Sequence, residues 1–485
     1  MNAAALVAPV RALWAQEALL PDGWARDVLL QWDAVGHLTK VETARPAPVG
    51  VARAAGPLLP GMPNLHSHAF QRAFAGLTEC RGSRHDSFWS WRQRMYAFAQ
   101  RITPEVLEAI AVWLYLEMLE AGYTSVCEFH YLHHDQGGRP YADDATLSLA
   151  LLRAAQRVGM GLTLLPVLYQ SSGFGTPPAP EQARFIRGTD QLLALLQRLA
   201  PIASAQGAAL GLAPHSLRAV PPDSLLKSVA GLHAQLPRAP VHIHIAEQTR
   251  EVQDCLAWSG QTPVQWLLEH APVDARWCLV HATHMTPAEH VAAARSGAVV
   301  GLCPSTEANL GDGIFDLPQW LQHGGRWGLG SDSQVCVNAA EELMLLEYGQ
   351  RLQRRERNVL GSAAQPHVAT AMLLQAVAGG AQASGRAIAG LAVGQQADFV
   401  VLDARHIALC GLSADSALAG HVFASHRTSA VHAVWVAGQQ RVLPRGHPLR
   451  TSAQAGFIRA RRQLLGEVRV AAPTVRPASA PPWKP

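Results

Sequence analysis

From Leu58 to about Gly385 the chain repeats one pattern: a short apolar run, turn residues, then a longer stretch with apolar positions three or four apart. The first kind of segment predicts strands buried on both faces, and the second predicts amphipathic helices. Strands are expected over 58–66, 124–131, 162–169, 209–215, 241–247, 277–282, 298–304 and 327–332. Helices are expected between them, over 104–121, 142–158, 190–199 and 287–296 among others. Eight strand–helix units predict a parallel (β/α)8 barrel of the TIM type. An open doubly wound sheet is the alternative, but no Gly-X-Gly-X-X-Gly follows any early strand.

The pattern changes at both ends. Residues 11–52 read as short strands, with a hairpin around Ala34-Val35-Gly36-His37. So small a piece needs a partner elsewhere in the chain. Residues 397–403 and 431–442 are strand-like again, and are expected to pair with the N-terminal strands in a small β-sandwich domain. The barrel is then an insertion between its halves. The division expected is 1–57 and 386–450 for the β-domain, 58–385 for the barrel, and 451–485 for a terminal helix and Pro-rich tail. The helix is placed over 453–468, and the tail, 471–485, is expected to be mobile.

Composition narrows the function classes. A 49% hydrophobic and 16% charged chain of 485 residues is globular and well buried, not disordered. The formal charge of +4 is small, and there is no Lys/Arg run to mark a nucleic-acid or membrane footprint. The basic cluster at 351–357 contains Glu356 and reads as a solvated helix face. Seven cysteines, odd in number and without Cys-X-X-Cys, read as reduced thiols, and cytoplasm is the expected location. Residues 1–10 lack the basic and long apolar regions of a secretory leader, and no apolar stretch is long enough to span a bilayer.

Chemistry collects at the ends of the expected strands, where active sites of such barrels sit. His66 and His68 end the first, and residues two apart on a strand share a face. Glu128, His130 and Tyr131 end the second, His215 the fourth, His244 and Glu247 the fifth, His281 the sixth and Asp332 the eighth. A single histidine in an apolar strand is more often structural than a ligand. A core built for stability alone, however, would place Val, Ile or Leu at all of these ends. Three imidazoles and a carboxylate suit a borderline cation. The expected ligands are His66, His68, His244 and Asp332. His242 shares parity with His244 and competes on spacing, but should lie deeper in the barrel. One divalent ion per chain is expected, Zn2+ first, although iron, manganese or cobalt suits the same ligands. The fourth strand offers neither Lys nor Glu to bridge a second ion, and Lys227, the one lysine of the barrel region, lies beyond it.

Taken together, Pro60-Gly61-Met62-Pro63-Asn64-Leu65-His66-Ser67-His68, the later histidines, Asp332 and the 390–400 segment resemble the amidohydrolase superfamily. His244-Ile245-Ala246-Glu247 with His281 is similar to its deaminase branch. More narrowly, His66-Ser67-His68-Ala69-Phe70-Gln71-Arg72, Glu128-Phe129-His130-Tyr131 and Pro214-His215-Ser216-Leu217-Arg218 resemble the formimidoylglutamate deiminases. The resemblance implies hydrolysis of N-formimino-L-glutamate to N-formyl-L-glutamate and ammonia, in histidine degradation. It implies that His281 and Asp332 orient water and that Glu247 shuttles a proton to the leaving nitrogen. It also implies that Gln71, Arg92, Tyr131, His215 and Arg218 grip a small dicarboxylate, a task suited to the planar fork of arginine. A homodimer is the assembly it implies. Another deaminase of the superfamily, acting on a purine or pterin, is the competing reading, and a non-catalytic scaffold is a third. Two Gly/Pro-rich segments, 171–180 and 305–315, are candidate lids.

Overall fold

The computed structural model describes residues 11–80, 87–425 and 428–466. The expectations for 1–10 and 471–485 lie outside the described residues, as do the last two positions of the expected terminal helix. The alternating pattern becomes a barrel because each apolar run is buried on both faces. Tyr123–His130 and Gly161–Leu168 are buried at every position, as are Val241–Ile245 and Trp277–His281.

The first barrel strand, Met62–Ser67, pairs in parallel with Tyr123–His130, which pairs with Gly161–Leu168. The fourth strand is two short pieces, Ala209–Leu210 and Ala213–Pro214, both paired with the third. A bridge from Leu212 to Val241 leads to the fifth strand. Trp277–His281, Val299–Leu302 and Arg326–Leu329 follow in parallel. The circle closes where Leu329 pairs with Asn64. That seam is covered by the helix Val368–Ser384, whose paired glycines allow close approach. A Cβ at Gly379 would overlap the Trp327 carbonyl, and one at Gly380 would lie 2.8 Å from Pro63 Cβ.

Helix boundaries follow local signals. Pro104–Glu120 starts after Thr103, whose side chain accepts from the Val106 N–H, with Pro in the first turn. Pro287–Ser296 starts at a Thr286/Glu289 capping box and stops at Gly297 in the left-handed region. The helix expected over 190–199 is longer, Thr189–Ala205, and runs through Pro201. Propensity alone puts the stop before that proline.

The strand expected over 58–66 is two strands in different sheets. Leu58–Pro60 pairs with Arg11–Leu20 and with Phe399–Leu402, whereas Met62–Ser67 belongs to the barrel. The change of sheet falls at Gly61, where a Cβ would overlap the Thr124 side chain and the N–H donates to the Asp398 carbonyl at 3.0 Å. The sheet formed by the chain ends also contains Gly23–Trp32, Leu38–Glu42, Ala52–Arg53, Val431–Val436 and Gln439–Val442. Leu13, Val28, Leu30, Trp32, Phe399 and Val401 give it a core of its own. It joins strands from both ends of the chain. The terminal helix, Arg450–Gly466, packs on Pro104–Glu120 through Phe457 and Trp113, with ring centroids 6.1 Å apart, and through an Arg450–Glu120 ion pair.

Among the strands that stop short of their expected ends, three stop at Ile245, His281 and Leu329. Ala246, Ala282 and Asp332 then take φ of 49°, 50° and 44°, so the chain leaves the sheet by left-handed turns. These turns place the polar residues across the barrel mouth.

Candidate active site

Four side chains from the first, fifth and eighth strand ends converge on one point. Nδ1 of His68 donates to the Phe129 carbonyl at 2.9 Å, and Nδ1 of His244 donates to the His215 carbonyl at 3.0 Å. Each bond places the ring proton on Nδ1 and turns the Nε2 lone pair inward. Nε2 of His244 lies 3.0 Å from Nε2 of His66. Asp332 Oδ1 is 3.4 Å from Nε2 of His66 and 3.3 Å from Nε2 of His68. Burial pushes His66 down to about 3 and His244 well below the ordinary imidazole value. Burial opposes ionisation of Asp332, but His66 and His68 hold its carboxyl well below the carboxylate range. The Nε2 lone pairs of His68 and His244 and the Asp332 carboxylate face one point, an arrangement that a cation among them would stabilise. The donor set therefore fits a divalent ion. The ligand atoms of His66, His244 and His281 also lie within 4.8 Å of one another, so His281 borders the same point. His242 does not take part: its Nε2 meets the Ala383 carbonyl at 2.8 Å, deep in the barrel.

Beside the donor set, three carboxylates surround His281. Nε2 of His281 is 3.9 Å from Glu247 Oε1 and 3.7 Å from Asp332 Oδ2. Its Nδ1 lies 3.2 Å from Glu307 Oε1. Burial opposes a charge on His281, yet Glu247, Glu307 and Asp332 together raise it to about 10. Burial lifts Glu247 to about 7, against the pull of His281. A carboxyl balanced near neutrality beside an imidazolium can take up and release a proton at working pH.

The expected substrate residues Gln71, Arg92, Tyr131, His215 and Arg218 all line one cavity with His68, His244, Glu247, His281 and Asp332. Gln71 Nε2 donates to Tyr131 Oη at 2.9 Å. Arg92 and Arg218 have no ion pair among the described residues, and each has a buried Nη1 without a hydrogen bond. One part of the wall is thus cationic, while Glu247 and Asp332 make another part anionic.

Behind the donor set lies a polar network. The Glu128 carboxylate accepts from the Ala69 N–H at 2.6 Å, Ser67 Oγ at 2.8 Å and Tyr115 Oη at 3.1 Å. Gln334 Nε2 donates to Ser67 Oγ at 3.0 Å and to the Asp332 carbonyl at 2.7 Å, and its Oε1 accepts from Ser331 Oγ at 2.8 Å. First, second and eighth strands are tied together around His66, His68 and Asp332. Sequence reasoning placed Glu128 at a strand end without a task, and missed Gln334 and Glu307. Glu307 had a signal: it is the acid that follows the seventh strand, whose end carried no other candidate.

The family model described as the amidohydrolase family matches residues 58–441. With this fold and this cluster of donors, the chain belongs to the amidohydrolase family, whose members are hydrolases. Residues 10–53 match the N-terminal domain of formimidoylglutamate deiminase HutF. The formimidoylglutamate deiminase of Pseudomonas aeruginosa is 53% identical over 458 residues, 94% of this chain and 99% of its own length. A crystal structure of an amidohydrolase from Brucella melitensis superposes with a TM-score of 0.88 at 47% identity, over 94% of this chain and 100% of that one. An adenosine deaminase from Xanthomonas campestris, solved with bound zinc, shares the fold at a TM-score of 0.76 and 20% identity, over 94% of this chain and 98% of that one.

Proposed function

We propose that the chain hydrolyses N-formimino-L-glutamate to N-formyl-L-glutamate and ammonia, as a step of histidine degradation. The observation that carries this reading is the polarity of the cavity. Arg92 and Arg218 present unpaired guanidinium N–H groups, while Glu247 and Asp332 lie beside the donor set. The substrate has the complementary form: two carboxylates on one part and a basic formimino group on the other. A purine or pterin would leave both guanidiniums buried without an anion, at a desolvation cost.

His66, His68, His244 and Asp332 would hold one divalent ion, Zn2+ by the softness of three imidazoles. When bound, the ion supplies Lewis acidity and makes water a better nucleophile near neutral pH. The protein supplies the rest. Arg92 and Arg218 bind the carboxylates, with Gln71, Tyr131 and His215 fixing the chain between them and the reacting carbon. His281 and Asp332 orient the water, and its oxygen adds to the formimino carbon. Glu247 takes one water proton and gives it to the terminal nitrogen, then takes the remaining hydroxyl proton of the tetrahedral centre and passes it to the same nitrogen. The C–N bond to that nitrogen breaks, ammonia leaves, and the formyl oxygen comes from water.

Buried free thiols at Cys127, Cys255, Cys278 and Cys303 support a reducing, cytoplasmic setting. Among the described residues no helix is long and apolar enough to cross a membrane. The homodimer rests on family resemblance and is tested by sedimentation. The deciding assay measures ammonia release from N-formimino-L-glutamate, with guanine and adenosine as controls. Release from a purine but not from the formimino compound would overturn the proposal. Glu247→Gln should retain the metal and lose turnover; a near-normal kcat would remove Glu247 from the proton path.

A further inference from the structure

Two guanidiniums share the substrate cavity, and no carboxylate pairs with either among the described residues. Glu251 and Glu247 favour the charge on Arg218 from a distance, and aromatic rings lie against both guanidiniums. Arg92 Cζ lies 4.5 Å from the ring centre of Trp89, Arg218 Cζ 5.8 Å from it, and Arg250 Cζ 4.8 Å. Three cations thus surround one indole. An aromatic face attracts a guanidinium without occupying its N–H donors. A carboxylate counter-ion would occupy them and compete with an anionic ligand.

Arg250 adds a position beyond the substrate cavity. It sits in the first turn of the helix Thr249–Ser259, and its side chain is 65% exposed. Its pairing with Asp254 is loose, at 3.7 Å between exposed groups, an interaction of little strength. Trp89 and Arg250 line a second, wider cavity that shares Arg92, Tyr96 and Arg218 with the substrate cavity. Trp89 and Arg250 therefore stand in an outer vestibule that meets the substrate cavity at Arg92, Tyr96 and Arg218.

We propose that this vestibule is an outer carboxylate-binding site, in which Arg250 captures the incoming anion and Trp89 is the positioning residue that holds Arg92 and Arg218 with free N–H donors. The inference rests on the dicarboxylate reading of the inner cavity and extends it to a site outside that cavity.

The test uses the metal-loaded full chain with Trp89→Leu, Trp89→Phe and Arg250→Gln. With N-formimino-L-glutamate, Trp89→Leu should raise KM about tenfold with kcat within about twofold, as expected for a lost cation–π contact, and Trp89→Phe should recover most of the loss. Arg250→Gln should raise KM about threefold and flatten the fall of kcat/KM with added salt. Glutarate, a dicarboxylate that cannot react, provides a readout independent of turnover: its Kd, by calorimetry, should weaken in the same order. Trp89→Leu with an unchanged glutarate Kd, Trp89→Phe as impaired as Trp89→Leu, or Arg250→Gln with an unaltered salt profile would overturn the inference. Absence of ammonia release by the unaltered enzyme would instead overturn the substrate assignment, and the glutarate series would still decide the vestibule.

Discussion

Glu128 is the residue whose replacement separates fold from site most sharply. It is 2% exposed, and three donors converge on its carboxylate: the Ala69 N–H, Ser67 Oγ and Tyr115 Oη, at 2.6, 2.8 and 3.1 Å. Glu128→Ala leaves all three in a closed space. The hydroxyls can rotate toward other acceptors, but the Ala69 N–H is fixed by the backbone. At ~1–3 kcal/mol for each buried donor left without a partner, the three come to ~3–9 kcal/mol before any cavity term, toward the lower end where the hydroxyls turn away. That is a large part of the ~5–15 kcal/mol that holds a typical domain.

Glu128→Gln is different. Its amide oxygen keeps the Ala69 bond, and Ser67 and Tyr115 reverse their hydroxyls to accept from the amide nitrogen. Ser67 Oγ already accepts from Gln334 Nε2 at 3.0 Å and has a second lone pair for this. The cost is about 1 kcal/mol, the difference between a charged and a neutral acceptor. The expected result is an alanine variant with a strongly lowered urea midpoint, and a glutamine variant that is near-native in stability but binds metal more weakly, because Ser67 lies between two ligands. Urea melts and metal content by mass spectrometry check both. An alanine variant with an unchanged midpoint and full metal content would refute the reasoning.

Three further outcomes follow from the same structure. Burial raises Asp398 from its ordinary 3.8 to about 6 while the Ala437 N–H holds it at 2.7 Å. The folded chain thus keeps a proton that the unfolded chain loses, and this contribution is full below pH ~4 and disappears as pH rises to about 6, about 3 kcal/mol in all. Asp398→Asn should flatten that part of the stability profile in urea melts across the window; an unchanged slope would contradict the burial argument. Arg218→Met should raise KM for the formimino substrate about ten- to a hundredfold with little change in kcat, as the loss of one charge-assisted bond requires. An unchanged KM would exclude Arg218 from carboxylate binding. Removing metal with a chelator should lower Tm and abolish ammonia release, and adding Zn2+ back should restore both, since the ion binds the folded state alone. A Tm indifferent to chelator would count against His66, His68, His244 and Asp332 as its ligands.

The donor set was legible because a strand's two-residue period and the placement of barrel chemistry at strand ends are both local facts. His66 and His68 announce themselves within three residues, and His244 is preferred to His242 for its place at the strand's end with Glu247 three residues on. The break at Gly61 was not legible in this way. Leu58–Pro60 and Met62–Ser67 are equally buried, so periodicity cannot say that they belong to different sheets. Glu307 and Gln334 act through residues distant in the chain, and their partners are set by barrel closure rather than by neighbouring sequence. Trp89 reads locally as one aromatic among several in 88–98, and its significance depends on Arg218 and Arg250, which reach it from distant parts of the chain.

The strand ends carry a further consequence. Ala246, His281, Ala282, Asp332 and Gln334 have φ between 44° and 68°, where each residue other than glycine costs ~1–2 kcal/mol. Such strain persists only where surrounding bonds over-determine it. Here they do: the His66 carbonyl accepts from both Ser331 and Asp332, His68 N–H donates to the Asp332 carbonyl, and Ala282 N–H donates to the Ile245 carbonyl. The partners are themselves strand residues of the closed barrel. The geometry that aims His281 and Asp332 at one point is therefore held from the barrel side, and the outer loops can vary without disturbing it. Variation among related deaminases can then fall on the walls that meet the substrate, which is where Arg92, Arg218 and Trp89 stand.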